Sequence, residues 1–240
     1  MPNPTAAMIV IGDEILSGRT RDANMHHLAG ELATAGIDLK EVRVVSDDPS
    51  AITDATRALS ETYTHVFTSG GIGPTHDDIT ADCIAAAFNA HIDVRDDARA
   101  ILEEYYQRTG TELNEARLRM ARIPDGASLI DNPVSAAPGF KLENVHVMAG
   151  VPTIFQAMVA SVLPTLTGGA PLLSQTLRIN RGEGDIAGPL ADLASEFSDL
   201  SIGSYPFSQG GIFGAHIVIR GHDGAMLDAA MTKLSAMFSE

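Results

Sequence analysis

The chain has 240 residues, of which 45% are hydrophobic and 20% charged, so it can bury a core and is not disordered by composition. Its 31 acidic residues outnumber its 16 basic ones, and a formal net charge of -15 argues against a dedicated nucleic-acid-binding protein. A single cysteine excludes an intrachain disulfide and a cysteine-rich zinc site, and no apolar run is long enough to span a bilayer.

Short apolar runs alternate with helical patterns in the first part of the chain. Runs over residues 6–11, 39–45 and 65–69 predict three strands, and residues with helical spacing follow each of them. This alternation is typical of a parallel sheet with helices on both faces. We therefore expect a three-layer, doubly wound, mostly parallel α/β domain.

Further elements complete this domain, which we assign to residues 1–169. The patterns predict helices over residues 97–108 and 112–122, a loop over 131–140 and a strand over 145–148. A last helix is expected from Pro152.

A second, smaller domain is expected over residues 170–240. Small residues and proline near residues 167–171 predict a linker. Beyond it we expect strands at 175–179 and 212–220, a strand-loop region at 201–207, and helices at 185–197 and from Met226. These elements would form a small α+β module.

The segment over residues 68–80, TSGGIGPTHDDIT, follows a predicted strand and precedes a helix. Its glycines let backbone N–H groups approach a ligand closely, and the helix N-terminus favours an anion at the same point. A tight turn with ordinary caps would also use a glycine pair. The added Pro-Thr-X-Asp-Asp favours a phosphate site, with these residues as candidates: Ser69, Gly70, Gly71, Gly73, Pro74, Thr75 and Thr80.

Carboxylates close to this segment predict a divalent metal. Asp77 and Asp78 would repel a phosphate, and Mg²⁺ shared between carboxylate and phosphate oxygens removes the conflict. Alternatively, one of the two caps the next helix. We expect Asp48 to cap the helix that starts at Pro49, which leaves Asp47 free to face the same sheet edge and join the metal ligands.

The end of the first predicted strand carries another turn with carboxylates. Asp13 and Glu14 follow Gly12 and would open onto the same edge. Either side chain could orient a sugar hydroxyl or help to hold the metal, and a solvated turn is the alternative.

Four blocks of sequence resemble the molybdopterin-binding (MoaB/MogA-like) domain family. Within it, they are most similar to the branch found at the N-terminus of competence/damage-inducible protein A (CinA) and in eukaryotic FAD synthase. The resemblance covers about residues 5–165, and the segments at 203–206 and 220–221 resemble the small module that follows in this branch. The blocks are GDEILSG at 12–18 with Asn24, SGGIGPTHDDIT at 69–80, NPVSAAPGF at 132–140 and AGVP at 149–152.

The resemblance implies both a ligand and a chemistry. The glycine segment would hold the phosphate of molybdopterin or its adenylylated form, and Asp47 and Asp78 would line the pocket and act in any catalysis. Further ligand-binding residues follow from the matched blocks: Gly12, Asp13, Glu14, Asn24, Asn132, Pro138, Gly139, Gly150 and Pro152.

Binding and hydrolysis are both compatible with this set of residues. The CinA branch is associated with metal-dependent hydrolysis of ADP-ribose, and FAD synthase with hydrolysis of FAD, so Mg²⁺, Mn²⁺ or Co²⁺ is the expected cofactor. We favour binding of a phosphorylated pterin or nucleotide. A metal-dependent pyrophosphatase is the alternative, and a scaffold with a vestigial pocket is a third reading.

The sequence also departs from its relatives. The chain ends at Glu240, where CinA proteins usually continue into a nicotinamide-mononucleotide amidase domain, so we expect a standalone form without deamidase activity. His76 stands where relatives often carry Lys or Arg, so a fixed positive charge is missing there. Arg117 and Arg119 more often form a solvated helix face, although either could reach a phosphate.

The cellular setting is expected from the same evidence. The N-terminus lacks the basic start and long apolar stretch of a signal peptide, which favours a cytoplasmic protein. Relatives form dimers or trimers, so we expect a homo-oligomer that binds a small phosphorylated molecule and neither nucleic acid nor membrane.

Overall fold

The computed structural model describes residues 2–238, and the chain forms two compact units that divide after Gly169. No helix in the described part of the chain is long and apolar enough to cross a membrane.

The first unit alternates strands and helices, as the sequence predicts. Its elements begin with β1 (Thr5–Ile11), α1 (Asp13–Leu16), α2 (Asn24–Thr34), β2 (Asp38–Val45), α3 (Pro49–Thr62), β3 (His65–Ser69), α4 (Thr80–Ala87), β4 (Ile92–Val94) and α5 (Asp96–Thr109). They continue with α6 (Glu115–Leu118), a 3-10 turn (Arg119–Ala121), β5 (Arg122–Pro124), β6 (Ser128–Ile130), β7 (Gly139–Leu142), β8 (Val145–Met148), α7 (Pro152–Val162) and a second 3-10 turn (Leu163–Thr165).

A six-stranded sheet in the order β2-β1-β3-β8-β7-β6 forms the middle layer. The four strands β2, β1, β3 and β8 are parallel, whereas β7 and β6 run antiparallel to their neighbours. The predicted doubly wound, mostly parallel α/β fold is therefore confirmed.

Side chains of β1 alternate between two cores, one on each face of the sheet. Ala7, Ile9 and Ile11 pack against residues of α3, α4 and α5. Ala6, Met8 and Val10 pack against residues of α2 and α7 on the other face. Because β1 is buried on both faces, its sequence is a continuous apolar run rather than an alternating one.

Two parts of the predicted pattern are wrong. The expected helix over 112–122 is only one turn of α-helix followed by a 3-10 turn, because Arg122 already belongs to β5, which pairs with β4. The expected loop over 131–140 ends earlier, since Gly139 and Phe140 open β7.

The second unit is a three-stranded antiparallel sheet with two helices. It contains β9 (Leu173–Ile179), α8 (Glu183–Glu196), β10 (Ser201–Gln209), β11 (Ile212–Gly221) and α9 (Gly224–Phe238), with strand order β10-β11-β9. Ala215, Ile217 and Ile219 of the central strand are buried in a core of their own.

Candidate ligand-binding site at the strand ends

The carboxyl ends of the four parallel strands lie level with one another. Ile11 pairs with Val45, Val10 with Ser69, and Ser69 with Met148. The residues that follow these strands therefore meet at one edge of the sheet, which is where open α/β sheets bind ligands.

A cavity of about 480 Å³, here called the strand-end cavity, opens at this edge. Its volume is in the usual range for small-molecule sites. Eleven of the residues predicted from the sequence line it: Gly12, Glu14, Asp47, Gly70, Gly71, Gly73, Pro74, Asp77, Asp78, Asn132 and Gly150.

The glycine loop, residues 70–75, has a backbone conformation and close contacts that leave no room for a side chain at Gly70 or Gly71. Gly70 and Gly71 have φ of 111° and 69°, in the region that favours glycine. A Cβ on Gly70 would lie 2.3 Å from the Ile11 carbonyl oxygen, and a Cβ on Gly71 would lie 2.1 Å from Thr80 Oγ1. The loop therefore packs directly against the end of β1 and the start of α4.

The three hydroxyl groups predicted as ligand donors have partners inside the protein. Thr80 is fully buried, and its Oγ1 donates to the Gly70 carbonyl over 2.9 Å. Thr75 Oγ1 donates to Asp78 Oδ2 over 2.5 Å, and Ser69 Oγ accepts from Asn24 Nδ2 over 2.8 Å. These hydroxyls hold the loop in shape.

Asp47 and Asp78 are fixed by backbone donors. Asp47 Oδ2 accepts from the Asp13 N–H over 2.9 Å, which ties the end of β2 to the turn after β1. Asp78 Oδ2 accepts from the Thr75 N–H over 2.8 Å, so it closes the glycine loop. The expected alternative, in which an aspartate caps α4, is not observed, because the N-cap residue Ile79 makes no side-chain cap.

Asp48 does cap α3, as predicted, and its carboxylate accepts from the Ala51 N–H. Asp47 is thereby left to line the strand-end cavity. Asp13 itself is exposed and is absent from the cavity wall, so it contributes its backbone rather than its carboxylate.

Asp77 is exposed at the cavity rim. A contact with the Thr75 side chain is the main influence that lowers the pKa of Asp77, followed by its own backbone N–H. The Thr75 hydroxyl itself donates its proton to Asp78, since Thr75 Oγ1 lies 2.5 Å from Asp78 Oδ2. Asp77 is therefore an anion at neutral pH.

No group of three or more His, Cys, Asp or Glu side chains among residues 2–238 is arranged to hold a metal ion. Asp47, Asp77 and Asp78 nevertheless line the same cavity. Mg²⁺ commonly takes one or two carboxylates together with substrate phosphates and waters, so this oxygen donor set fits a cation that binds with its ligand.

Two buried asparagines organise the walls. Asn24 Nδ2 donates to Ser69 Oγ and to the Gly150 carbonyl, each over 2.8 Å, and so joins α2, β3 and the turn before α7. Asn132 donates to Ser135 Oγ and the Ala137 carbonyl, and accepts from the Val134 and Ser135 N–H groups. Both residues position backbone segments at the sheet edge.

The remaining predicted residues lie beside the cavity. Asn24, Ser69 and Pro152 line a smaller hollow of about 70 Å³, which shares Gly150 with the cavity. Gly139 lies in β7, where a Cβ would approach the Val147 carbonyl oxygen to 2.4 Å, so close strand packing explains this glycine. Pro138 lines a second hollow, described below, that shares Gly71, Gly73 and Asp78 with the cavity.

Sequence reasoning missed the apolar part of the cavity wall. These residues belong to segments between elements or at element ends, where apolar side chains carry no periodic signal: Ile11, Ile72, Met120, Ala137, Ala149, Val151 and Ile154. Apolar side chains in the same cavity as a polar loop suit a ligand with a flat ring and a charged group.

Comparison with known proteins agrees with this geometry. Residues 7–168 match the family described as "Probable molybdopterin binding domain", and residues 171–240 match "FAD synthase, middle domain". The chain belongs to the molybdopterin-binding domain family, and the resemblance drawn from the sequence blocks is confirmed.

Individual relatives share either both units or the first one. A "Probable FAD synthase" of Caenorhabditis elegans is 32% identical over 98% of this chain, but the chain spans only 50% of that protein. A "CinA-like protein" of Citrifermentans bemidjiense is 38% identical over 68% of this chain and 40% of its own length.

A solved structure confirms the fold of the first unit. The crystal structure of "the protein CinA with unknown function" from Thermoplasma acidophilum has a TM-score of 0.62 and 32% identity. The match covers 68% of this chain and 97% of the other.

Proposed function

We propose that this chain binds a phosphorylated pterin or nucleotide in the strand-end cavity, with a phosphate on the glycine loop. The observation that carries the proposal is the position of that loop. It lies at the end of β3 and forms one wall of a 480 Å³ cavity whose lining also includes apolar side chains and carboxylates. Membership of the molybdopterin-binding domain family supports the same ligand class.

The charge of the cavity supports a divalent cation as part of the bound state. Glu14, Asp47, Asp77 and Asp78 line it, and no Lys or Arg is among its described lining residues. An anionic ligand would meet four carboxylates, so a cation is needed between them. When bound, Mg²⁺, Mn²⁺ or Co²⁺ would neutralise phosphate oxygens, and Asp47 and Asp78 would hold it.

Hydrolysis of a dinucleotide such as ADP-ribose or FAD is the second candidate function. It is favoured by Asp47 and Asp78, which lie in the segments after two different strands yet line one cavity and are fixed by backbone donors. The similarity to a probable FAD synthase over 98% of this chain supports a nucleotide diphosphate. In this reaction water adds to one phosphorus of the diphosphate, the bridging P–O bond breaks, and two monophosphates are released.

A binding screen with a product assay tests both functions. The ligands are ADP-ribose, FAD, NAD, ATP and neopterin triphosphate, each with Mg²⁺, Mn²⁺ or Co²⁺ and with EDTA as control. We expect a metal-dependent rise in Tm for at least one ligand. Release of monophosphate would establish the hydrolase, whereas binding without release would establish a binding protein. No binding of any ligand by folded protein would contradict both functions.

Asp78→Asn is the decisive variant. The asparagine oxygen can still accept from Thr75, so the loop can keep its shape while the negative charge is lost. We expect metal-dependent binding to weaken by tenfold or more. Asp54→Asn is the matched control, because Asp54 is exposed on α3, lies outside the cavity and undergoes the same change of charge. Equal affinities for the two variants would reject Asp78 as a ligand.

A further inference from the structure

A second, smaller hollow adjoins the glycine loop, and its lining includes an arginine without a carboxylate partner among the described residues. This second hollow has a volume of about 20 Å³ and shares Gly71, Gly73 and Asp78 with the strand-end cavity. Arg119, in the 3-10 turn after α6, lies on its wall. Because the two hollows share these loop residues, the Arg119 guanidinium lies beside the loop that would hold the phosphate.

Arg119 is partly exposed, and its hydrogen bonding inside the protein is poor. Nη2 donates to the Asp78 carbonyl over 3.4 Å, and Nε is buried with no hydrogen-bond partner among the described residues. Guanidinium presents five N–H donors, and a buried donor that is left unpaired has lost its hydration without gaining a partner. A buried donor in this condition calls for a partner.

The neighbouring arginine, Arg122, differs from Arg119 because it has a carboxylate partner. Arg122 lines the same second hollow, but its Nη1 and Nη2 donate to the two carboxylate oxygens of Asp82 over 2.7 and 2.6 Å. Its charge is therefore neutralised inside the protein. Among the described residues that line the two hollows, Arg119 is the cation that remains without a carboxylate.

We propose that Arg119 supplies the positive charge that binds the phosphate on the glycine loop. The proposal rests on the proposed function, which it deepens by naming the group that recognises the anion. Arginine fits phosphate geometry by donating two parallel N–H bonds, and it stays charged at any physiological pH. It would also replace the fixed charge that is missing at His76, whose side chain is almost wholly exposed.

The test compares Arg119→Gln with a matched variant two residues away. Arg117→Gln is the control because Arg117 lies outside both hollows, donates to the Glu112 carbonyl and stacks on Tyr106. Binding of the same five ligands is measured by calorimetry with metal present, and the Tm of each ligand-free variant is recorded. Arg119→Lys is the rescue variant.

We expect Arg119→Gln to weaken binding of the phosphorylated ligand by about 10- to 100-fold, the range for a hydrogen bond to a charged group. The ligand-free Tm should not fall, because the change removes one long hydrogen bond to the Asp78 carbonyl and one buried N–H without a partner among the described residues. Arg119→Lys should recover part of the affinity, and Arg117→Gln should bind like the parent.

Two different failures can be told apart. If the parent protein binds none of the five ligands, the proposed function and this inference both fail. If the parent binds but Arg119→Gln binds equally well, the inference alone is overturned, and Arg119 only supports the Asp78 carbonyl. A lowered Tm with no rescue by lysine would likewise assign Arg119 a structural role.

Discussion

At the scale of single residues, the glycine loop depends on the absence of a side chain at Gly71. Its φ of 69° disfavours other residues, and a Cβ would lie 2.1 Å from the Thr80 oxygen that bonds the Gly70 carbonyl. We expect Gly71→Ala to lower the free energy of unfolding by about 1–3 kcal/mol and to abolish ligand binding. Urea unfolding and calorimetry measure the two effects.

Gly18 provides the matched control for this change. Its φ of 72° is similar, but a Cβ there would meet nothing within 4 Å. Gly18→Ala should therefore show the backbone strain without the clash and keep the parent's affinity. Equal losses of affinity in the two variants would mean that the space around Gly71 is irrelevant to the ligand.

Asn24 is expected to support the site as well as the fold. Its amide group donates two hydrogen bonds at the strand ends, to Ser69 and to the Gly150 carbonyl. Asn24→Ala should lower the free energy of unfolding by about 1–3 kcal/mol and weaken ligand binding. Asn144 makes a comparable pair of bonds, to the Ser60 and Tyr63 carbonyls, before β8 begins.

Asn144→Ala therefore serves as a control at the opposite end of the sheet. Its loss of stability should resemble that of Asn24→Ala, as measured by urea unfolding, with no change in ligand affinity. If both variants lost affinity to the same degree, general loosening of the sheet rather than the local contacts of Asn24 would explain it.

At the scale of elements, the central strands carry a buried histidine that makes the fold sensitive to acid. His146 of β8 is 1% exposed and stacks on Phe67 of β3, with ring centroids 4.8 Å apart. Burial, followed by the nearby His65 and Lys141, lowers the pKa of His146 to about 3. The folded protein therefore keeps this imidazole neutral in mild acid.

The sign of the pH effect follows from proton binding. Between pH 6.5 and about 3 the unfolded chain binds a proton at His146 and the folded protein does not, so stability falls as the pH falls. We expect a loss of about 1–2 kcal/mol from this group between pH 6.5 and 5. Urea unfolding at both pH values should show a smaller loss in His146→Phe, and an unchanged loss would exclude this residue as the cause.

β1 was predictable because its burial on both faces leaves a continuous apolar run over residues 6–11. The short strands were not, since β6 has three residues and β7 four, and neither length supports a periodic pattern. In the segment after α5, Asn114 gives a true helix-start signal, but pairing of Arg122 with Val94 ends the helical structure early. Tertiary pairing thus overrides local helix propensity.

In the site, too, some features could be predicted from the sequence and others depend on tertiary contacts. The positions of the glycine loop, Asp47 and Asp78 follow from one rule, that parallel strands end at a common edge. Side-chain partners do not follow from it: the Asp13–Asp47 bond joins residues 34 positions apart, and the Arg119–Asp78 bond joins residues 41 apart. The sequence therefore predicts where the cavity opens, whereas long-range contacts decide which of its side chains are already hydrogen-bonded within the protein.

At the scale of the whole molecule, the cavity and the second unit rest on separate cores. The described residues that line the strand-end cavity lie between 11 and 154, and those that form the core of the second unit lie between 177 and 238. The crystal structure from Thermoplasma acidophilum matches 68% of this chain while covering 97% of its own, so a protein of about the size of the first unit exists as a folded chain. The first unit is thus expected to fold without the second.

We therefore expect a fragment of residues 1–169 to unfold cooperatively and to bind the ligand found for the full chain with a Kd within about threefold of the parent value, well under the tenfold change that corresponds to 1.4 kcal/mol. Circular dichroism during urea unfolding tests the fold, and calorimetry tests the affinity. A folded fragment whose affinity drops tenfold or more would show that residues 170–240 contribute to the ligand site. In that case the second unit, which matches the middle domain of FAD synthase, would have a role in selecting the ligand.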